Sequence, residues 1–325
     1  MKVIIQLPCF NEAGTLPDTL KDLPRQLPGV DTVEWLIIDD GSSDQTAQVA
    51  NENGVDHVIR HTANQGLAKA FMTGLNACLE RNADIIVNTD ADNQYVADDI
   101  PKLIAPILAH EAEMVIGARP ISDIEHFSPV KRRLQRFGSA VVRWVSGTDI
   151  VDAPSGFRAF SRDAAMRLNV FSNYTYTLET IIQAGHKNIS VVSVPIRTNP
   201  PTRSSRLMRS MPQYLMRSFE VIVRIFATYR PFRFFMLLGV FPFLSGSLLG
   251  LRFLVHYLMG QGTGMIQSLI LAALLIGSAL LMWALAFLAD LISVNRKLHE
   301  QSVYLLRKMS FDARGGSGKD GERGA

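Results

Sequence analysis

The chain has 325 residues, with 33 lysines and arginines, 30 aspartates and glutamates, and two cysteines. That length suffices for about two domains, and the 47% apolar content excludes a disordered or collagen-like chain. The net charge of +3 is too small to indicate a nucleic-acid partner, and Cys9 and Cys78 supply no disulfide framework. We therefore expect globular domains, and we expect the domain that contains the two cysteines to lie in a reducing compartment.

The first 200 residues alternate predicted strands and helices. Apolar runs bounded by turn residues predict strands at residues 3–7, 35–38, 57–60, 85–88, 114–117 and 189–194. Helical periodicity lies between most of them, at residues 15–23, 46–53, 66–80 and 100–110. This alternation is typical of an α/β fold with a doubly wound, mostly parallel sheet. Ligands of such sheets bind beyond the carboxyl ends of the strands.

Polar clusters directly follow three of the predicted strands, at residues 8–12, 39–44 and 90–94. Carboxylates crowded at one sheet edge repel each other, and their pKa values rise unless a cation or donor lies nearby. Asp90 and Asp92 can face one divalent cation, and Gln94 can add an amide oxygen. The sequence therefore predicts Mg²⁺ or Mn²⁺, which take oxygen ligands and leave positions open for phosphate.

The C-terminal part is far more apolar, because residues 234–289 contain a single formal charge, Arg252. Helices over residues 234–257 and 265–289 would each be about 36 Å long, enough to cross the hydrocarbon core of about 30 Å. The alternative is a pair of buried helices in a soluble core, but soluble helices of this length normally have a polar face. We predict a transmembrane hairpin of two helices.

Basic residues flank this hairpin on both outer sides. Residues 197–233 contain eight arginines and one glutamate, and basic pairs occupy positions 296–297 and 307–308. Because the connecting turn is uncharged, the positive-inside rule predicts a multi-pass membrane protein with both termini in the cytoplasm. The spacing of apolar residues over 207–226 indicates a basic amphipathic helix at the membrane interface. Packing of that helix on its own domain is the alternative.

Four short motifs occur in order in the first domain: Pro-Cys-Phe-Asn-Glu at 8–12, Ile-Asp-Asp-Gly-Ser at 38–42, Asp-Ala-Asp-Asn-Gln at 90–94 and Ser-Gly-Phe-Arg at 155–158. Together they resemble the signatures of family 2 glycosyltransferases of the GT-A fold. Within that family the chain resembles the polyprenyl-phosphate glycosyltransferases, which include the dolichol-phosphate mannose synthase type. The predicted hairpin resembles that of the bacterial undecaprenyl-phosphate glucosyltransferase type.

The resemblance implies roles on the donor side. It assigns the nucleotide to a set of residues that follow the first, second and fourth predicted strands: Pro8, Phe10, Glu12, Asp39, Asp40 and Ala91. The family often has tyrosine where this chain has Phe10, so a hydroxyl contact is lost and ring packing is kept. Asp90, Asp92 and Gln94 would hold the metal on the donor diphosphate, where it neutralises the leaving group. Arg203 and Arg206 resemble the basic segment that closes over the donor phosphates.

A lipid phosphate acceptor would meet a second basic segment. Arg119 ends a predicted strand, and arginine forks bind phosphate in a bidentate manner. Three more cations follow on a predicted helix with an apolar face: Lys131, Arg132 and Arg133. An ordinary solvated basic face is the alternative. Asp152 and Glu179 complete the catalytic set with Asp90 and Asp92, as orienting groups first and bases second, because a phosphate dianion needs no strong base.

The resemblance and the charge pattern predict four segments. Residues 1–200 form the cytosolic GT-A catalytic domain, and residues 201–230 form a basic lid loop and a juxtamembrane amphipathic helix. Residues 231–292 form the transmembrane hairpin, and residues 293–325 form a cytoplasmic helix and a disordered tail from Gly315. Small residues on the first span, Gly246, Ser247 and Gly250, could support a homo-oligomer.

We therefore expect a metal-dependent enzyme that transfers a sugar, with inversion, from a GDP- or UDP-linked donor to a polyprenyl phosphate at the cytoplasmic membrane face. One alternative is a family 2 transferase that elongates a polysaccharide or modifies another glycan. The absence of a Gln-x-x-Arg-Trp motif weighs against its processive form. The other alternative is an inert membrane scaffold, which the intact acidic cluster disfavours. The sequence leaves the sugar and the nucleotide open.

Overall fold

The computed structural model describes residues 1–120, 139–140, 142–143, 146–170, 176–200, 220, 223–224, 226–260 and 266–320, with only the backbone for 312–320. The chain divides into two compact units. One contains Met1–Tyr214 and Ser302–Ala325, and the other contains Leu215–Gln301. The first unit holds the sheet and the predicted site, and the second holds most of the apolar sequence.

Within the described residues, the first unit contains a seven-stranded sheet. Its strands are β1 (Lys2–Cys9), β2 (Thr32–Asp39), β3 (His57–Arg60), β4 (Ile85–Asn88), β5 (Met114–Ala118), β6 (Arg158–Ser161) and β7 (Val191–Pro195). The strand order is β3-β2-β1-β4-β6-β5-β7, in which β6 runs antiparallel to β4 and β5 and the other pairings are parallel. The predicted doubly wound, mostly parallel sheet is confirmed.

Helices cover both sides of the sheet. They are α1 (Leu16–Asp22), α2 (Thr46–Glu52), α3 (Leu67–Glu80), α4 (Ile100–Leu108), α5 (Arg162–Arg167) and α6 (Thr177–His186). The six predicted strands and four predicted helices are present within a few residues of their expected ends. The sequence does not predict β6, α5 or α6. The strand β6 has four residues and starts with a charged one, so its apolar run is too short to recognise.

Both faces of the central strands are buried. Val3, Ile5 and Leu7 of β1 belong to a core cluster that includes side chains of α1 and α4. On the opposite face α3 packs so closely that a Cβ at Gly74 would lie 2.6 Å from Ile38 Cδ1. Strands buried on both faces have continuous apolar runs, which the sequence makes easy to recognise. Because β1, β2 and β4 are parallel, the three polar motifs that follow them lie at one edge of the sheet.

Two long apolar helices follow, α7 (Pro231–Leu258) and α8 (Ile266–Asp320). By length and composition, Pro231–Leu258 and Ile266–Phe311 are candidate membrane spans, which agrees with the predicted hairpin. The helix α8 continues far past residue 289 and its backbone is helical beyond Gly315, where the sequence predicts the start of a disordered tail. The physical reason is that each further residue of an existing helix adds a hydrogen bond without a new nucleation cost.

Small residues let α7 and α8 pack closely within the second unit. A Cβ at Gly239 would lie 2.5 Å from Trp283 Nε1, and one at Gly246 would lie 2.9 Å from the Ala272 carbonyl oxygen. Trp283 Nε1 donates a hydrogen bond to the Met236 carbonyl oxygen at 3.2 Å. Close backbone approach through small residues is typical of membrane helices. Gly246 is therefore used inside the hairpin, and the homo-oligomer stays a prediction.

Candidate active site

The loop after β4 carries the predicted metal ligands. Asp90 is half-buried, and its carboxylate lies against the fourth motif, since a Cβ at Gly156 would be 3.0 Å from Asp90 Oδ1. Burial and the neighbouring Asp92 carboxylate raise the pKa of Asp90 to about 7. Asp92 Oδ1 accepts a hydrogen bond from Gln94 N at 3.2 Å. Among the described residues, no side chain or backbone group donates to the Asp90 carboxylate.

Asp90, Asp92 and Gln94 fit a divalent cation as a partial ligand set. Within the described part of the chain, no group of three or more His, Cys, Asp or Glu side chains could hold a metal alone. Two carboxylates and an amide oxygen suit Mg²⁺ or Mn²⁺, with a phosphate and water supplying the other ligands. A cation here would also offset the repulsion between Asp90 and Asp92. The chemistry of the donor set therefore agrees with a metal that arrives with a phosphorylated substrate.

The loops after β1 and β2 are joined by hydrogen bonds. Asn11 has a positive φ of 55°, which directs its backbone N–H to Ser42 Oγ at 2.9 Å, and its side-chain oxygen accepts from Ser43 N at 2.9 Å. The backbone N–H of Glu12 donates to Thr46 Oγ1 at 2.9 Å. The first two motifs therefore form one surface at the carboxyl edge of β1 and β2.

The other predicted donor residues of these loops differ in exposure. Pro8 is half-buried at the end of β1, and Phe10 is 40% exposed. The carboxylate of Glu12 is buried and accepts a hydrogen bond from Thr15 Oγ1 at 2.8 Å. Ala91 is buried, and its carbonyl oxygen accepts from Thr19 Oγ1 at 3.0 Å. Among these four, Phe10 presents the most surface to a ligand.

Asp40 is buried, and its carboxylate is saturated by donors from the segment before α3. It accepts from Gln65 N at 2.9 Å and Gly66 N at 2.8 Å, and His61 Nδ1 lies at 2.7 Å. Gly41, at φ 71°, lets this segment approach, because a Cβ there would be 2.5 Å from the Ala63 carbonyl carbon. The structure therefore shows Asp40 holding the entrance to α3.

Asp39 is fully buried and less completely paired. Its Oδ1 accepts from Ser42 N at 2.9 Å. Arg60 Nε lies 3.2 Å from Oδ2, but in the described residues Oδ2 has no hydrogen bond of good geometry. A buried oxygen with spare acceptor capacity is costly unless a donor binds it. Asp39 therefore retains an oxygen that a nucleobase N–H group could satisfy.

The fourth motif is fixed by Arg158, whose side chain is fully buried. Its guanidinium donates to the carbonyl oxygens of Ser155 at 2.7 Å, Thr177 at 2.8 Å and Ala153 at 2.8 Å. Burial lowers the pKa of Arg158 to about 10. Because the guanidinium donates to these backbone carbonyl oxygens, Arg158 connects the loop before β6 to the start of α6. Gly156 of the same motif lies beside the Asp90 carboxylate.

On the predicted acceptor side, Arg119 and Asp152 form a bidentate pair. Arg119 Nε donates to Asp152 Oδ2 at 2.7 Å, and Nη2 donates to Oδ1 at 3.1 Å. Asp152 is fully buried, so its carboxylate fixes the guanidinium plane. Glu179 lies buried in the first turn of α6, where its carboxylate accepts from Gln183 Nε2 at 3.4 Å. The other predicted cations lie outside the described residues: Lys131, Arg132, Arg133, Arg203 and Arg206.

The segment after β7 is hydrogen-bonded to the loop after β4, residues 89–96, which we call the metal loop after its predicted ligands. Asn199 N donates to the Gln94 carbonyl oxygen at 2.9 Å, and Arg197 Nη2 donates to Asp99 Oδ1 at 2.8 Å. Burial alone would raise the pKa of Asp99, but hydrogen bonds from Arg197 and Lys102 lower it to about 2. These contacts place the residues just before position 201, where the predicted basic segment begins, beside the metal loop.

Sequence reasoning missed three residues that hold Gly156: Asn88, Tyr95 and Tyr176. Tyr95 OH accepts from Gly156 N at 3.0 Å, and Asn88 Nδ2 donates to the Gly156 carbonyl oxygen at 2.9 Å. One signal for Asn88 was available, because it ends an otherwise apolar, fully buried strand, Ile85–Asn88. A buried polar residue in that position needs specific partners. Those partners lie too far away along the chain for sequence spacing to reveal them.

The profile of Glycosyl transferase family 2 matches residues 4–168, which contain all four motifs. A UDP-N-acetylglucosamine–dolichyl-phosphate N-acetylglucosaminyltransferase of Methanococcus voltae is 30% identical over 218 residues, covering 60% of this chain and 85% of that protein. An undecaprenyl-phosphate mannosyltransferase of Micrococcus luteus is 27% identical over 206 residues, covering 60% and 83%.

Among solved structures, the chain is similar to glucosyl-3-phosphoglycerate synthase of Mycobacterium tuberculosis, crystallised with Mn²⁺, UDP-glucose and phosphoglyceric acid. The TM-score is 0.55 at 19% identity, over 70% of this chain and 79% of that one, which shows a shared GT-A-like fold. The family profile spans 165 of the 325 residues and includes every motif at the sheet edge. The chain therefore belongs to glycosyltransferase family 2.

Proposed function

We propose that this glycosyltransferase moves a sugar from a nucleotide sugar to a polyprenyl phosphate at the cytoplasmic face of a membrane, with inversion and with Mg²⁺ or Mn²⁺. The observation that carries the proposal is the convergence of all four motifs at one sheet edge, where the Asp90 carboxylate lies against Gly156. The names of the two relatives and the two candidate membrane spans support a lipid phosphate acceptor.

The donor nucleotide would bind the surface formed by the first two motifs. The spare acceptor oxygen of Asp39 suits the N–H groups of uracil or guanine, since both bases present a ring N–H donor. Phe10 is 40% exposed and offers its ring face for stacking. Asp40 stabilises this surface indirectly, because its carboxylate binds the backbone N–H groups of the segment before α3. Arg203 and Arg206 would close over the diphosphate.

The donor diphosphate would extend toward the loop after β4. Asp90 and Asp92, with Gln94, would hold a divalent cation that neutralises the charge of the departing nucleoside diphosphate. The contact between Asp90 and Gly156 sets the direction of one carboxylate. Arg197 and Asn199, which precede the predicted basic segment, are hydrogen-bonded to the residues that follow β4.

The acceptor phosphate would bind Arg119, with Lys131, Arg132 and Arg133 as further cations. The second pKa of a phosphate monoester is about 6, so the acceptor is already mostly a dianion at neutral pH. A phosphate oxygen forms the new bond to the anomeric carbon as the bond to the diphosphate oxygen breaks, which inverts that carbon. Asp152 orients Arg119 in this scheme, Glu179 is a second orienting group, and neither needs to act as a base.

The membrane arrangement follows from the charge pattern. We place residues 1–200 in the cytosol as the catalytic domain, residues 201–230 at the interface, residues 231–292 in the bilayer and residues 293–325 back in the cytosol. A Thr263→Cys variant in the connecting turn should react with an impermeant thiol reagent only from outside the cell. Cys9 and Cys78 are buried and give little background. Labelling only from the inside would reverse the topology.

A donor panel tests the reaction. The full chain in detergent is incubated with radiolabelled UDP- and GDP-sugars and Mn²⁺, with and without undecaprenyl phosphate. We expect label in an acid-labile lipid fraction only when the lipid phosphate is present. Label transferred to an added glycan would support the polysaccharide alternative. The absence of turnover with every donor, in folded protein, would support the scaffold alternative.

A further inference from the structure

A network of buried polar side chains lies next to the metal loop. Gln6 of β1 and Asn88 of β4 are register partners on adjacent strands, both fully buried, and Gln6 Nε2 donates to Asn88 Oδ1 at 2.9 Å. Asn88 Nδ2 donates to the Gly156 carbonyl oxygen at 2.9 Å and to Tyr176 OH at 2.8 Å. The carbonyl and both amide hydrogens of Asn88 are therefore engaged.

Tyr176 is buried, and its ring packing fixes the position of its hydroxyl group beside Gly156. Its ring stacks on Phe71 of α3, with centroids 4.0 Å apart and planes 3° from parallel, and the residue is 1% exposed. A Cβ at Gly156 would lie 3.0 Å from Tyr176 OH and 3.0 Å from Asp90 Oδ1. The Tyr176 hydroxyl and the Asp90 carboxylate thus border the same space beside Gly156, which a Cβ would fill.

Gly156 is consequently fixed at both of its backbone polar groups. Asn88 binds its carbonyl oxygen, and Tyr95 OH accepts from its N–H at 3.0 Å. A satisfied buried network is rigid, whereas one that has lost a partner is costly. An apolar pair at positions 88 and 176 would fill the same volume without desolvating polar groups. The polar side chains at these positions therefore do more than fill space: they fix Gly156, the residue beside which the Asp90 carboxylate lies.

We infer that Asn88 and Tyr176 are positioning residues, which hold Gly156 so that the Asp90 carboxylate keeps one orientation toward the cation. The inference rests on the metal site of the proposed function. It extends that site to side chains that do not touch the cation. Partners behind a metal ligand typically change metal affinity about 10- to 100-fold when they are removed.

The test is a titration of the full chain in detergent with Mn²⁺. The concentration of free Mn²⁺ is measured by electron paramagnetic resonance, which gives the dissociation constant. Tyr176→Phe keeps the stack on Phe71 and removes only the hydroxyl. We expect it to raise the Mn²⁺ dissociation constant about tenfold, and excess Mn²⁺ should restore turnover. Tyr304→Phe is the matched control, because Tyr304 OH donates to Asp163 Oδ1 at 2.7 Å, away from this network. Its Mn²⁺ affinity should equal that of the wild type.

Gly156→Ala is the second variant, in case Tyr176→Phe folds poorly. The added methyl group would meet both Asp90 Oδ1 and Tyr176 OH at 3.0 Å, so it should displace the Asp90 carboxylate, the Tyr176 hydroxyl or both, and weaken Mn²⁺ binding. Asp92→Asn separates the two possible failures. If Asp92→Asn abolishes Mn²⁺ binding while Tyr176→Phe and Gly156→Ala leave it unchanged, the positioning role is wrong. If the wild type binds no Mn²⁺, or Asp92→Asn binds it normally, the metal site is wrong as well.

Discussion

The loops after β2 and β4 have similar acidic sequences and opposite environments. Both oxygens of Asp40 accept hydrogen bonds from the backbone N–H groups before α3. Asp90 instead lies beside Asp92, with a raised pKa and, among the described residues, no donor to its carboxylate. Backbone donors compensate the carboxylate of Asp40, whereas in the part of the chain that the structure describes the carboxylate of Asp90 accepts no hydrogen bond. Acidic residues that look alike in sequence can thus be paired with backbone donors in one loop and left with spare acceptor oxygens in the next.

The largest effect is expected for Asp92→Asn. It removes one of two carboxylates proposed to hold the cation, and a loss of about 10³-fold in turnover corresponds to about 4 kcal/mol of lost stabilisation of the leaving group. Thermal unfolding should stay near the wild-type midpoint, because a repulsion is relieved. Turnover in the donor assay measures the loss of activity, and a thermal unfolding curve measures the stability. Asp98→Asn, at an exposed neighbour, is the control, and activity that persists in excess EDTA would contradict the metal assignment.

Asp40→Asn should have the opposite profile. The new amide NH₂ group must face a backbone N–H of Gln65 or Gly66 or the His61 ring, and one buried donor is left unpaired. We expect a loss of about 3 kcal/mol in the free energy of unfolding, measured by denaturant titration in detergent. The turnover of the remaining folded protein should change much less than in Asp92→Asn. Normal stability with a raised KM for the nucleotide sugar would show that Asp40 contacts the donor directly.

Asp99 is an intermediate case, a buried carboxylate held by cations and a backbone N–H. Its pKa of about 2 lies below the ordinary 3.8, so its ionised form stabilises the fold above about pH 4, and this contribution is lost as the pH falls toward 2. Because the Lys102 and Arg197 side chains are more than half exposed, water screens these pairs, and Asp99→Asn should cost about 1.5 kcal/mol at pH 7. The difference from the wild type should shrink between pH 4 and pH 2 in unfolding experiments. A difference that is constant over this range would exclude the ion pairs as its cause.

Sequence spacing predicts six of the seven described strands, the three acidic clusters and the family, because each depends on neighbouring residues. It assigned Asp39, Asp40, Asp90 and Asp92 one common kind of role, as ligand-binding acids. The structure separates Asp40 from Asp90 through partners that are distant along the chain. Asp40 meets a segment 25 residues away, and Asp90 lies against Gly156 in a loop held by Arg158. Only the tertiary fold decides which carboxylates find backbone donors.

The smallest effect is expected for a substitution of Arg119, the partner of the buried carboxylate of Asp152. Arg119 donates to both oxygens of Asp152, and its planar fork can hold a carboxylate on one edge and a phosphate on another. A lysine ammonium cannot do both in one fixed plane, so Arg119→Lys should raise the KM for undecaprenyl phosphate about tenfold, or about 1.4 kcal/mol. The KM for the nucleotide sugar should not change, and Arg167→Lys, at a surface ion pair with Asp163, should change neither constant. If the nucleotide-sugar KM rises and the acceptor KM stays constant, Arg119 belongs to the donor side, and Asp152 supports the diphosphate rather than the lipid.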